Sequence, residues 1–218
     1  AISPKFSYNM ENYLIKRLDK INSNIFYYLV SSNADFKSID ERTKILSETL
    51  LTLNNDLVSF KYKRYENLTH YNLPIHSISE GLEHVFATYS SINSIEYDSV
   101  LSKIQTSPVK YLVDKYEKIA SFYGINKNIL MNDFRAVEKY IEVNEQFKYY
   151  KDLSELAIDK YPKTILGSYF MGLYHERAGD IRKAMHIYRS AYTLEDVEGI
   201  TKDELLERAD LINQELQY

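Results

Sequence analysis

The chain has 218 residues, 44% hydrophobic and 27% charged, enough for one large globular domain or two small ones. A net charge of −4 with acids and bases interspersed leaves no basic stripe, which argues against a nucleic-acid partner. Cysteine is absent, so disulfide and thiolate chemistry are excluded, and no apolar run approaches the ~20 residues of a membrane span.

The opening Ala1-Ile-Ser-Pro-Lys-Phe is neither a signal peptide nor an initiator-methionine start, so any export signal that the parent gene encodes is expected outside this chain. Localisation is not legible from the residues. Glu11 to Ile21 carries Leu14, Leu18 and Ile21 at helical spacing. Ile25-Phe-Tyr-Tyr-Leu-Val30 is a short apolar run, as expected of a strand covered on both faces. Ser38 with Glu41 three residues on resembles a capping box and opens a helix to about Leu53. After the turn at Asn54-Asn-Asp, Val58 to Tyr65 alternates apolar and polar residues, marking a strand with one exposed face. Pro74 breaks the chain, and Ser77 to Glu80 caps a helix carrying Leu82, Val85, Phe86 and Tyr89. Two strands do not make a stable sheet, so this half reads as incomplete.

From about residue 94 the periodicity is helical throughout. Ser107-Pro108 supplies an N-cap and a first-turn proline, and Gly124 stops that helix. Gly172, Gly179, Ala184, Tyr188 and Ala191 stand where a tetratricopeptide repeat beginning at Ile165 needs small or aromatic residues. Ala157 and Pro162 take the alanine and terminal-proline positions one 34-residue period earlier. An unrelated helical hairpin is the alternative. Asp203 to Leu216 reads as a capping helix.

His70 follows the second strand in a loop with Asn67, Thr69 and Asn72. A general base needs exposure, a rigid support and a partner that selects its tautomer. Asp35, at the end of Ser31-Ser-Asn-Ala-Asp, is the candidate partner; a turn or helix-capping aspartate is its other reading. Asp40 and Glu41 are better explained as first-turn helix acids. The six glycines form no Gly-x-Ser-x-Gly elbow, and Gly167-Ser168 falls inside a helix. No metal or cofactor is expected: His70, His76 and His84 are loosely spaced, His175 and His186 fall on different helices, and no phosphate-binding glycine loop exists.

These residues, strand, acid, helix, strand, histidine, helix, resemble the end of an α/β-hydrolase. More narrowly, the chain resembles esterases related to enterochelin esterase and esterase D, in the bacterial group with a tetratricopeptide extension. Ala1-Ile-Ser-Pro-Lys-Phe-Ser7, Tyr65-Glu-Asn-Leu-Thr-His-Tyr-Asn-Leu-Pro74, Ser79 to Phe86 and Lys115 to Gly124 carry the likeness. Lys5 and Tyr71 depart from the family's usual residues. The resemblance implies an α/β then all-α chain. Residues 1–92 would be the C-terminal part of an α/β-hydrolase sheet, 93–127 linker helices, and 128–218 a tetratricopeptide-like domain.

It also implies His70 as base and Asp35 as orienting acid, serving a serine outside this chain, so that the chain alone is inactive. The expected partners are the missing N-terminal half or a second copy, with a peptide or protein at the repeat face. The rival expectation is a helical interaction module without catalysis, and a third is a helical lid or dimerisation element.

Overall fold

The structure is a computed structural model that describes residues 10–216. Residues 1–7, which carry part of the esterase resemblance, lie outside the described residues. The chain divides between residues 89 and 90 into two compact units.

The first unit runs α1 (Met10–Leu18), β1 (Ile25–Ser32), α2 (Lys37–Leu50), β2 (Val58–Tyr65) and α3 (Leu73–Phe86). β1 and β2 pair in parallel from Ile25 opposite Val58 to Ser32 opposite Tyr65. A parallel pair needs a crossover, and α2 provides it. The alternation of side chains across a strand sends Ile25, Tyr27, Leu29, Val58 and Phe60 onto Leu18, Leu46 and Leu50. Leu46 and Leu50 are each 2% exposed, so truncating either to alanine should cost about 2–5 kcal/mol. α3 lies against the opposite face. A Cβ on Gly81 would come 2.9 Å from the ring of Tyr28, and only glycine permits that approach. His84 fastens the same helix, its Nε2 lying 2.9 Å from the carbonyl of Ser59.

The expectation of an α/β-hydrolase sheet is corrected here. Among the described residues the sheet has two strands, and the chain is mostly helical. The physical reason is that Ile25–Ser32 and Val58–Tyr65 combine β-branched and aromatic residues in runs of strand length without a competing helical period. Every other apolar pattern has helical period. Local boundaries also shift. α2 starts at Lys37 with Phe36 as N-cap and no side-chain cap, so the Ser38 box does not form. α3 begins at Leu73, because proline is tolerated in a first turn; Ser77 instead donates to the carbonyl of Pro74 at 3.3 Å. Both faces of β2 are partly covered, against the one exposed face expected.

The second unit is built of helices: α4 (Ser94–Ser99), α5 (Pro108–Tyr123), α6 (Met131–Val143), α7 (Tyr149–Lys160), α8 (Leu166–Arg177), α9 (Ile181–Ser190) and α10 (Lys202–Glu215). Ser107 caps α5 by accepting from the Lys110 amide, and Gly124 ends it in the left-handed conformation. Gly172 lets the Tyr188 ring lie directly on the backbone of α8; a Cβ there would overlap the ring. The buried carboxylate of Asp133 accepts from the Ile92 amide and from the Tyr116 hydroxyl, both at 2.6 Å. Burial first and that hydrogen bond second push the Tyr116 phenol up.

Candidate functional site

Because β1 and β2 are parallel, the loops that follow them emerge at the same edge of the sheet. Side chains at the end of β1 fasten the two loops together. Ser32, fully buried, accepts through Oγ from the amides of Ala34 at 3.3 Å and Leu68 at 3.2 Å. Asn33 Oδ1 accepts from the Asn67 amide at 2.7 Å, and the Asn33 amide donates to the Tyr65 carbonyl at 3.3 Å. Asn67 holds φ of 60°, a left-handed turn that asparagine tolerates better than most residues.

This stapling sets His70 against Asp35. Nδ1 of His70 lies 3.0 Å from Oδ1 of Asp35, and the same oxygen accepts from the Phe36 amide at 2.6 Å. A carboxylate can only accept, so the contact needs the proton on Nδ1, and in the neutral imidazole this leaves Nε2 with its lone pair. The exposures differ in the direction an acid–base pair requires: the Asp35 side chain is 2% exposed and that of His70 41%. The imidazole contacts two aromatic rings, Phe36 at 5.5 Å and Tyr71 at 5.6 Å between centroids. Such an imidazole can take a proton from a bound hydroxyl and return it to a leaving group.

Among the described residues no hydroxyl hydrogen-bonds to His70. The nearby serines are engaged elsewhere: Ser31 Oγ with the Tyr62 hydroxyl at 2.7 Å, Ser32 with its two amides, and Ser77 with a helix carbonyl. Ser168 lies within α8, as its sequence position indicates. Asp40 pairs with Arg64 at 2.6 Å, and those guanidinium hydrogen bonds hold its carboxyl below the usual range. Glu41 makes an exposed i,i+4 pair with Lys37. His84 packs against Phe26 and bonds to Ser59, while His175 is buried in α8 and His186 is exposed on α9. Among the described residues no three histidine or acidic side chains are grouped to hold a metal ion. Nor is any described helix long and apolar enough to cross a membrane.

Sequence reasoning missed Ser32, Asn33 and Phe36. The signal was available in Ser31-Ser-Asn33, a polar triplet closing a strand otherwise apolar. A second cluster was also missed, on the α3 face of the sheet. There the Tyr28 hydroxyl lies 3.3 Å from both the Tyr65 hydroxyl and Glu80 Oε2, and Lys63 pairs with Glu80. The lysine holds the Glu80 carboxyl low, while burial and then the Tyr65 bond hold the Tyr28 phenol up. This cluster ties α3 to the strands and thereby fixes the helix that follows the His70 loop.

No family model matches the sequence, and no curated protein matches it. Among solved structures, the fold is similar to the crystal structure of an uncharacterised protein from Capnocytophaga ochracea DSM 7271, with a TM-score of 0.78 and 22% identity. The likeness covers 94% of this chain and 58% of that one, so the chain spans little more than half the length of its structural neighbour. It concerns the fold alone.

Proposed function

We propose that Asp35 and His70 form the proton-transfer half of a serine ester hydrolase site, and that the nucleophile comes from polypeptide outside this chain. The 3.0 Å contact between His70 Nδ1 and a buried carboxylate carries this reading. The esterase resemblance of the histidine loop supports it. In the completed site, a serine hydroxyl gives its proton to Nε2 of His70 as its oxygen attacks the ester carbonyl. The imidazolium, held by Asp35, then returns the proton to the departing alcohol. Water, deprotonated by the same nitrogen, releases the acid and regenerates the serine.

Two measurements test this. Ring 15N shifts of His70 should report a single tautomer with Nδ1 protonated, and Asp35→Ala should give a tautomer mixture. In a longer polypeptide that supplies the proposed nucleophile, His70→Ala should lower p-nitrophenyl ester turnover by about 10³-fold or more. Unchanged turnover there would sink the proposal. The 218-residue chain alone should show no serine-dependent turnover. A second reading, an interaction module without catalysis, is supported by a groove of about 540 Å³ lined by Glu176, Arg177, Glu204 and Arg208. It requires His70→Ala to leave every activity unchanged.

A further inference from the structure

The chain has five histidines, and they differ in open surface and in charged partner. His70 has both: its ring is half open, and the buried Asp35 carboxylate lies against Nδ1. His76 and His186 are exposed, and neither is paired with a carboxylate among the described residues. His175 faces Asp180 at 3.5 Å, but its side chain is 7% exposed. His84 directs Nε2 at the Ser59 carbonyl. His70 therefore joins a reachable Nε2 to a carboxylate-held Nδ1. That combination suits an imidazole to act as a nucleophile. With the proton on Nδ1, Nε2 carries a lone pair, and the positive charge that forms on the ring during attack meets the Asp35 carboxylate.

We propose that His70 is an acyl acceptor in its own right, taking the acyl group of an activated donor onto Nε2. The Nε2 lone pair forms a bond to the acyl carbon, and the bond to the leaving group breaks with its electron pair. The ring becomes an acylimidazolium whose Nδ1 proton stays on the Asp35 carboxylate. Water then attacks the acyl carbon, the C–N bond breaks, its pair returns to Nε2, and the acid and one proton leave. Because imidazole departs more readily than an alkoxide, the donor's own leaving group must be a stable anion such as a carboxylate or phenolate. Charge favours an acyl over a phosphoryl group. Lys63 is paired with Glu80 and Arg64 with Asp40, so the ion pairs bring Asp35 no cation besides His70. A phosphoryl dianion would lie near that carboxylate uncompensated, whereas an uncharged acyl group meets the exposed rings of Phe36 and Tyr71. The step needs no serine, so it stands or falls separately from the ester-hydrolase reading.

The test is labelling of the full chain with diethyl pyrocarbonate, an acyl donor that marks imidazole nitrogens, read site by site by peptide mass mapping. A charge-assisted hydrogen bond is about twice as strong as a neutral one, so His70 should be labelled roughly tenfold faster than His76 and His186. His84 and His175 should be slower than all three. Hydroxylamine should remove the label, as it does from an acylated imidazole. Asp35→Asn should slow labelling of His70 about tenfold and leave His76 and His186 unchanged. A merely structural role for Asp35 would free the loop and leave His70 at least as reactive. The ranking is read on the unaltered chain, so the outcome does not depend on a variant folding. Labelling of His70 no faster than of His76 and His186 would overturn the proposal, as would an unchanged His70 rate in Asp35→Asn. Phosphoramidate, a phosphoryl donor, should show no preference for His70; preferential phosphorylation there would overturn the assignment to acyl groups.

Discussion

Replacing Asp35 and His70 by alanine, singly and together, measures how strongly the two side chains hold each other. The Asp35 carboxylate is 2% exposed, so its bond to Nδ1 is shielded from water on one side, whereas the imidazole is 41% exposed and water competes on the other. A hydrogen bond to a charged group contributes about 1.5–3 kcal/mol when fully shielded, and the half-open imidazole reduces that to about 1–1.5 kcal/mol. Asp35→Ala carries an added loss, because the 2.6 Å bond from the Phe36 amide goes with it. That amide lies at an exposed loop and water replaces the partner, so the extra cost stays below about 1 kcal/mol. The double mutant should therefore be less destabilised than the sum of the singles by about 1 kcal/mol. Because the chain has two compact units, whole-chain unfolding would blur the result; native-state hydrogen exchange of β1 and β2 amides isolates the first unit. Additivity within about 0.3 kcal/mol would refute the claim that the pair is energetically coupled.

Acidification offers a second check. The Asp40 carboxyl is lowered by its bonds to Arg64, so its contribution is present above the ordinary carboxylate range and fades as pH falls through the lowered value. Melting of the first unit followed from about pH 6 to about pH 3 should show a decline that Asp40→Asn flattens. In the second unit, Gly172→Ala should cost about 1–3 kcal/mol in urea unfolding, because the fully buried Tyr188 ring has no space to withdraw. Asp133→Ala strands the Ile92 amide and the Tyr116 hydroxyl in a buried setting and should cost about 2–4 kcal/mol, read by thermal denaturation against Asp133→Asn.

Much of the local architecture was legible because its causes are local. The apolar run at Ile25, the alternation from Val58, the Ser107-Pro108 start and the Gly124 stop each follow from side-chain period or backbone preference within a few residues. The pairing of Asp35 with His70 was a guess about chain order; the two lie 35 residues apart, and no local pattern brings them together. The expected hydrolase sheet failed for a related reason. Strand signals say which residues are extended, while the number of strands in a sheet depends on what else is present to pair with them.

By itself, then, the order of residues determined the helices, the two strands and the loop that carries His70, since these depend on period, proline, glycine and polarity within a short window. The tertiary structure decided the rest. Parallel pairing brought the two strand ends to one edge, and Ser32 and Asn33 fastened the loops there. That contact buries Asp35 while leaving His70 half open, a difference of solvation that no single segment of the chain encodes.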